Sequence, residues 1–236
     1  MSRNSIKIHT PAGKRWLEKA TAEAAAPKAA AAAPAAAKAK AGRPAPVGAG
    51  EVRIIGGQWR RTRLPVAQHP GLRPTPDRVR ETLFNWLGQD LTGWHCLDAF
   101  AGTGALGFEA ASRGATNVLM NEQDATLVQQ LQRLRERLDA RSVRVLRGDG
   151  IGCLRQVAPG TLDLVLIDPP FDHADLFEPA LKAAAQAVSA TGYVYLEAPQ
   201  AWTEEQLAEA GGLQLFRHLK AGAVHAHLLR KAPQDE

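Results

Sequence analysis

The sequence predicts an α/β fold, a mostly parallel sheet with helices on both faces that ends in an antiparallel hairpin. Three observations predict it. From residue 95 onward, short apolar runs alternate with amphipathic, helix-compatible stretches, which is the pattern of βαβ units. The first of these runs ends in Asp98 and feeds a turn nearly free of side chains, Gly102-Thr-Gly-Ala-Leu-Gly107, before a helix-forming stretch from Ala105 to Ser112. Near the C-terminus, Leu213 to Lys220 and Ala223 to Lys231 read as strands separated only by Ala221–Gly222. With no crossover helix between them, they pair antiparallel.

In chain order, residues 1–50 read as a disordered tail rich in Ala, Pro and Lys. Its alanine runs are broken by Pro27 and Pro34 and fall short of the roughly 12–15 residues an isolated helix needs in water. It also has almost no large apolar side chains to offset the entropy of ordering. Residues 51–90 read as a small basic extension. Within it, 51–66 predicts two short strands turning at Gly56–Gly57. Arg53, Trp59, Arg60, Arg61 and Arg63 form a basic strip with one aromatic, a mixture that suits a nucleic-acid backbone and a stacked base. Leu-Arg73-Pro-Thr75-Pro76-Asp77 then opens a helix, with Thr75 as N-cap, Pro76 in the first helical position and Asp77 in the first turn. Val79, Leu83, Trp86 and Leu87 recur at helical spacing as its core stripe. Arg73, Arg78 and Arg80 fall off that stripe and are expected to line a substrate entrance.

Residues 91–236 form the main domain. Strands are expected near 95–100, 117–122, 143–148, 162–168 and 192–198, and helices near 105–113, 124–139, 150–157, 175–189 and 203–210.

Charge is unevenly placed. Residues 1–50 carry a net +7, residues 51–80 a net +5, and the remainder a net −7. A mildly acidic body with a basic first third suits a polyanionic partner such as nucleic acid. Cys96 and Cys153 are too far apart in sequence and too few for a disulfide framework or a zinc cluster, which fits a reducing, cytoplasmic setting. No apolar run approaches the roughly 18 residues needed to span a bilayer. His225 and His227 share a strand face, but no third metal ligand is apparent and no metal is expected. The expected state is a monomer.

The glycine turn reads as a cofactor cradle, in which glycines allow positive φ and close approach of a ligand. It satisfies Gly-x-Gly-x-x-Gly, and Glu122 ends the next strand fifteen residues after the last glycine, where a ribose-binding acid belongs. A nicotinamide-dependent oxidoreductase therefore competes as a reading. Three features oppose it. Asp98 aims a carboxylate into the cradle, repelling a pyrophosphate and attracting a cation such as the sulfonium and ammonium of S-adenosyl-L-methionine (SAM). Asp149 ends the third strand at an adenine-sized position. The fourth strand ends in Asp168-Pro169-Pro170-Phe171.

Asp98-Ala-Phe-Ala-Gly-Thr-Gly-Ala-Leu-Gly107 followed by Asp168-Pro-Pro-Phe171 resembles the Rossmann-like class I SAM-dependent methyltransferases that methylate amines. Arg53-Ile-Ile-Gly-Gly-Gln-Trp-Arg60 and Leu72-Arg-Pro-Thr-Pro-Asp-Arg-Val-Arg-Glu-Thr-Leu-Phe-Asn-Trp-Leu87 narrow the resemblance, over about residues 52–231, to the RsmD-type bacterial 16S rRNA guanine-N2 methyltransferases. The resemblance implies SAM as methyl donor and 16S rRNA, or a small ribosomal subunit assembly particle, as substrate. The family's usual target is guanine 966. It further implies a SAM site made of Asp98 (methionine end), Phe100, Ala101, Gly102, Thr103, Gly104, Glu122 (ribose) and Asp149 (adenine side), and a target-base site at Asp168, Pro169, Pro170 and Phe171. An adenine-N6 methyltransferase on DNA or RNA is the alternative, because Asp-Pro-Pro-aromatic loops serve both amines. An RNA-binding assembly factor whose methylation is incidental is a third reading.

The chemistry suits the loop. A guanine amine is a weak nucleophile because its lone pair is delocalised, and acceptors for its N–H bonds off the ring plane help it leave planarity. Asp168 can accept one N–H and the Asp168 or Pro169 carbonyl the other. The prolines fix φ and remove competing donors. Phe171 can stack on a base that is unpaired or flipped out, and Asp172 and His173 follow within reach of substrate.

Overall fold

The computed structural model describes residues 50–66 and 75–232. The expected tail and Arg73 lie outside them. The chain runs β1 (Glu51–Arg53), β2 (Arg63–Pro65), α1 (Asp77–Trp86), β3 (His95–Asp98), α2 (Ala105–Ser112), β4 (Asn117–Glu122), α3 (Ala125–Arg137), β5 (Val143–Arg147), α4 (Gly150–Gln156), β6 (Leu162–Ile167), a short 3-10 turn at Ala174–Leu176, α5 (Phe177–Ala187), β7 (Val188–Ala198), α6 (Glu204–Glu209), β8 (Leu213–Ala221) and β9 (Val224–Lys231).

Seven strands form one sheet in the order β5-β4-β3-β6-β7-β9-β8, and β1 pairs antiparallel with β2 in a separate ribbon. From β5 to β7 all pairings are parallel, whereas β9 runs antiparallel to both β7 and β8. After β3 the chain builds outward through β4 and β5, then crosses back to place β6 on the other side of β3. That reversal opens a crevice beyond the carboxyl ends of β3 and β6, which is where open α/β sheets bind ligands.

The α/β alternation matches the sequence expectation, with one shift. The helix expected to reach 189 stops at Ala187, and β7 starts at Val188, which pairs with Leu162 before a register break leads into Tyr193. A β-branched residue with a strand partner beside it ends the helix there.

Both sheet faces are covered. On one, Val79, Leu83, Phe84, Phe108, Leu131, Leu166, Tyr195 and Leu228 form a core that also takes in Val52, Ile54 and Leu64. On the other, α4, α5 and α6 pack Leu154, Leu181 and Leu207 against Leu97, Val165 and Leu196. The N-terminal ribbon is thus continuous in packing with the sheet. Asp124 caps α3 through the Thr126 and Leu127 amides, and Thr203 with Gln206 forms a reciprocal capping box on α6. Among the described residues no helix is long and apolar enough to cross a membrane.

Candidate active site

Strand register assembles the site. Asp98 lies opposite Met120 on β4 and Leu166 on β6, and Leu166 lies opposite Tyr195 on β7. Because side chains alternate in strands, the next row on the same face holds Glu122, Asp168 and Glu197, each two residues further along its chain. Four acids from four adjacent strands therefore meet at the carboxyl end of the sheet, on the face covered by α1.

Asp98 is fully buried. Its Oδ2 accepts the Gly107 amide at 3.0 Å. Oδ1 is buried without a well-formed hydrogen bond, although the Phe100 amide acts on the same carboxyl. Burial, with the charge of Glu122 and Glu197 added, pushes its pKa up to about 7. An orphaned anion beside a glycine turn fits a ligand that brings a cation.

The turn itself is bound up by backbone and Glu122. The Ala101 amide donates to Asn121 O, the Gly104 amide to Ala101 O, and the Gly102 amide to Glu122 Oε2 at 2.9 Å. Glu122 Oε1 takes the Asp124 amide at 2.8 Å, and lone pairs remain on both oxygens for a diol. Gly104 sits at φ 81°, and a Cβ there would fall 2.6 Å from Leu131. Across the cradle, a Cβ on Gly150 would lie 2.5 Å from Ala99 O and 3.1 Å from the Phe100 ring. Thr103 is buried. Asp149 caps α4 through the Gly152 amide at 2.6 Å. Asn121, unexpectedly polar for a strand interior, donates to Ala99 O and Gly148 O and ties the ends of β3 and β5 together. Orphaned acid, glycine turn and diol-capable Glu122 together fit SAM.

Asp168 follows β6 directly, and Thr75 Oγ1 lies 3.4 Å from its Oδ2. Burial, then the charges of Glu197 and Asp98, raise its pKa well above the carboxylate range. Pro169 is buried and Pro170 exposed, while Phe171 is half-buried against the α4–α5 side of the sheet. The acid-lined face and the proline loop are thus adjacent, one strand apart.

Two expectations are corrected. Thr75 does not cap α1, whose N-cap is Pro76; its hydroxyl turns instead to Asp168. Arg80 does not line an entrance. It is completely buried, pairing with Asp77 at 2.6 Å and Glu109 at 3.3 Å and donating to the Thr75 and Arg53 carbonyls. The reason is a helix face wider than the stripe, since Arg80 and Phe84 are buried beside Val79 and Leu83. Arg53, Arg60, Arg61, Arg63 and Arg78 are exposed, Arg53 reaching Asp77 and Arg63 reaching Glu51. Trp59 is half-buried and packs on the core. His227, which was set beside His225 as a weak metal signal, has its ring nitrogens engaged by the Trp202 amide and the Leu196 carbonyl.

Sequence reasoning missed Thr75 and Tyr195 around Asp168, and Glu109 beneath the ribbon. Glu197 ends a strand near the site and reads as structural in the sequence; the β6–β7 register brings it beside Asp168.

This fold and crevice define a Rossmann-like methyltransferase. The family model described as conserved hypothetical protein 95 matches residues 52–230. Ribosomal RNA small subunit methyltransferase D of Escherichia coli K12 is 49% identical over 137 residues, covering 58% of this chain and 68% of that protein. Its Haemophilus influenzae namesake is 40% identical over 171 residues, covering 67% of this chain and 88% of the relative. A solved structure described as a putative methyltransferase YhhF from Escherichia coli superposes with TM-score 0.64 at 36% identity, over 78% of this chain and all of that one. The chain belongs to this RsmD-type methyltransferase family.

Proposed function

We propose that the protein transfers a methyl group from SAM to the exocyclic N2 of one guanine in 16S rRNA, guanine 966 by the family's usual target. It would act in the cytoplasm on the rRNA or on a small ribosomal subunit assembly particle. A single chain holds every group invoked, so a monomer suffices. The observation that carries this reading is Asp168, held by two prolines one strand away from the cradle acid Asp98 and directed to the same face. The relatives' names supply the rRNA.

SAM, when bound, supplies an electrophilic methyl on a sulfonium; Asp98 would hold its ammonium, Glu122 its ribose, and the Asp149 turn its adenine. Asp168 and the neighbouring carbonyls accept the amine's N–H bonds, and Phe171 stacks on the base. Exposed Arg53, Arg60, Arg61, Arg63 and Arg78 would hold the RNA backbone, with Trp59 contributing its half-exposed ring; Arg73, outside the described residues, joins them from the sequence alone. The oxidoreductase reading fits less well, because a pyrophosphate would meet buried carboxylates.

The deciding experiment transfers labelled methyl from SAM to rRNA or subunits of cells lacking the protein, then digests the product. N2-methylguanosine at one site is expected. N6-methyladenosine alone would replace this reading with the adenine one.

A second expectation concerns Asp98. An acid whose pKa rises on folding, here from 3.8 to about 7, favours the fold below its unfolded value, and that contribution is lost as pH climbs toward 7. Asp98→Asn should therefore raise the melting temperature of the ligand-free protein at pH 8 and leave it nearly unchanged at pH 4. The same substitution should abolish SAM-induced stabilisation, and wild-type SAM affinity should weaken as pH falls below about 7. Thermal melts and calorimetry across pH test this; SAM affinity that is flat with pH and survives Asp98→Asn would remove Asp98 from the site.

A further inference from the structure

Methylating an amine releases a proton. As the N–C bond forms, the donor's S–C bond breaks with its electron pair going to sulfur, and nitrogen recovers its lone pair only when an N–H proton leaves. Under the reading above, that proton arrives on Asp168. Beside Asp168 stands a buried carboxyl. Glu197, 2% exposed, lies one step beyond the Ile167–Leu196 pair of the β6–β7 register, as Asp168 does on the other chain segment. Thr75, 4% exposed, donates its hydroxyl to Asp168 at 3.4 Å, and the same hydroxyl is among the groups that hold the Glu197 pKa down. The Tyr195 hydroxyl donates to Glu197 Oε1 at 2.9 Å. The charged and titratable groups that face this pair are Asp98 on β3, Arg80 on α1 and Tyr195 on β7.

One hydroxyl has one proton and cannot donate to two anions at once. With either carboxyl protonated, the same hydroxyl accepts from one and donates to the other, and the chain of hydrogen bonds closes. We propose that Thr75 and Glu197 are positioning residues of a proton relay: the proton leaving the target amine reaches Asp168, passes to the Thr75 oxygen as the Thr75 proton passes to Glu197, and Asp168 is returned to its carboxylate. No oxidant or further reactant is needed, since one proton leaves nitrogen and one arrives on Glu197. This inference rests on the reading that Asp168 meets the base. Burial lifts Glu197 to about 6, while Thr75, Tyr195 and Arg80 hold it down. Burial raises Asp168 as well, so the two carboxyls titrate as a pair and a proton gained by Asp168 is shared with Glu197 through the hydroxyl.

The test is the single-turnover rate against pH, with rRNA or subunits as substrate. Wild type should lose rate as pH falls through about 6, as Glu197 becomes occupied. Glu197→Gln should lower the plateau by about tenfold or more. It should also move the acid limb down by about one pH unit, because Thr75 then serves Asp168 alone and a neighbouring charge is gone. Thr75→Val should lower the plateau similarly, and Thr75→Ser should restore it. A purely structural role for Glu197 would depress the rate evenly across pH.

A second readout needs no catalysis. Infrared difference titration of the free protein should show a protonated-carboxyl band that appears near pH 6 and is absent in Glu197→Gln. If Glu197→Gln does not fold, the Thr75→Val and Thr75→Ser pair decides. An unmoved acid limb, with rates within about threefold of wild type for Glu197→Gln or Thr75→Val, overturns the relay. Undiminished activity of Asp168→Ala would instead overturn the underlying assignment.

Discussion

Asp168→Ala is expected to lower the single-turnover methylation rate by about a thousandfold, equivalent to about 4 kcal/mol of barrier, while SAM affinity stays within a few-fold of wild type. The separation follows from the placement of the residue. The cradle is built by Asp98, the Gly102–Gly104 turn and Glu122, which are bound to one another through backbone amides, and Asp168 contributes to none of those bonds. It stands one strand over, after the end of β6. On the proposed function, alanine there removes the acceptor that would hold the amine out of its ring plane and along the line of attack. Alignment of this kind accounts for up to about 7–11 kcal/mol in well-oriented reactions, so losing its central acceptor weighs on the rate and not on donor binding. The alanine also removes a half-buried carboxyl whose charged form burial, Glu197 and Asp98 disfavour, so the folded protein should not be destabilised at neutral pH. Rapid-quench single turnovers and calorimetric SAM titration test the split. A rate within a few-fold of wild type would mean the base is held elsewhere, and a SAM affinity that falls in step with the rate would place Asp168 in the cradle.

Much of the candidate site's layout was legible in the chain because its signals are local. Asp98, the glycine turn, Glu122 and the Asp-Pro-Pro-Phe loop each announce themselves within a few residues, and the expected strand and helix boundaries lie close to the observed ones. What stayed hidden depends on pairing between segments far apart in sequence. Thr75 looked like a helix cap because Pro76 and Asp77 follow it, yet a carboxylate 93 residues later takes its hydroxyl. Glu197 carries no local signal of its place; only the β6–β7 register sets it beside Asp168. Arg80 looked exposed because the apolar stripe passes next to it; its burial is possible because Asp77 and, from another helix, Glu109 supply opposite charge. Asn121 looked out of place in its strand and proves to bridge two others through their carbonyls.

Glu109 carries the largest expected effect on stability, although nothing in its local sequence marks it. It is completely buried in α2, the helix that follows the glycine turn. Its carboxylate accepts the Ile55 and Gly56 amides, each at 2.8 Å, and pairs with Arg80 at 3.3 Å and Arg113 at 2.9 Å. The ribbon's other anchors are close by. Ser112 O takes the Gln58 amide, Ser112 Oγ takes the Trp59 amide, and a Cβ on Gly57 would collide with Ser112 O at 1.8 Å. Glu109→Ala would leave the buried Arg113 without its anion, Arg80 with Asp77 alone, and two amides without an acceptor. Breaking a buried pair by removing one partner costs about 3–5 kcal/mol, which in a domain of this size corresponds to a melting temperature lower by about 6–20 °C. The loss should be felt first in the ribbon, so hydrogen exchange at the Ile55 and Gly56 amides should speed up before that of the central strands. RNA affinity should fall more than SAM affinity, because the exposed arginines ride on the ribbon whereas the cradle keeps its own bonds. Replacing Arg113 by methionine in the Glu109→Ala background should recover part of the stability, since it removes the charge left without its anion. A Glu109→Ala protein that melts within about 2 °C of wild type with those two amides still protected would show that the ribbon is held by its apolar residues Val52, Ile54 and Leu64 alone.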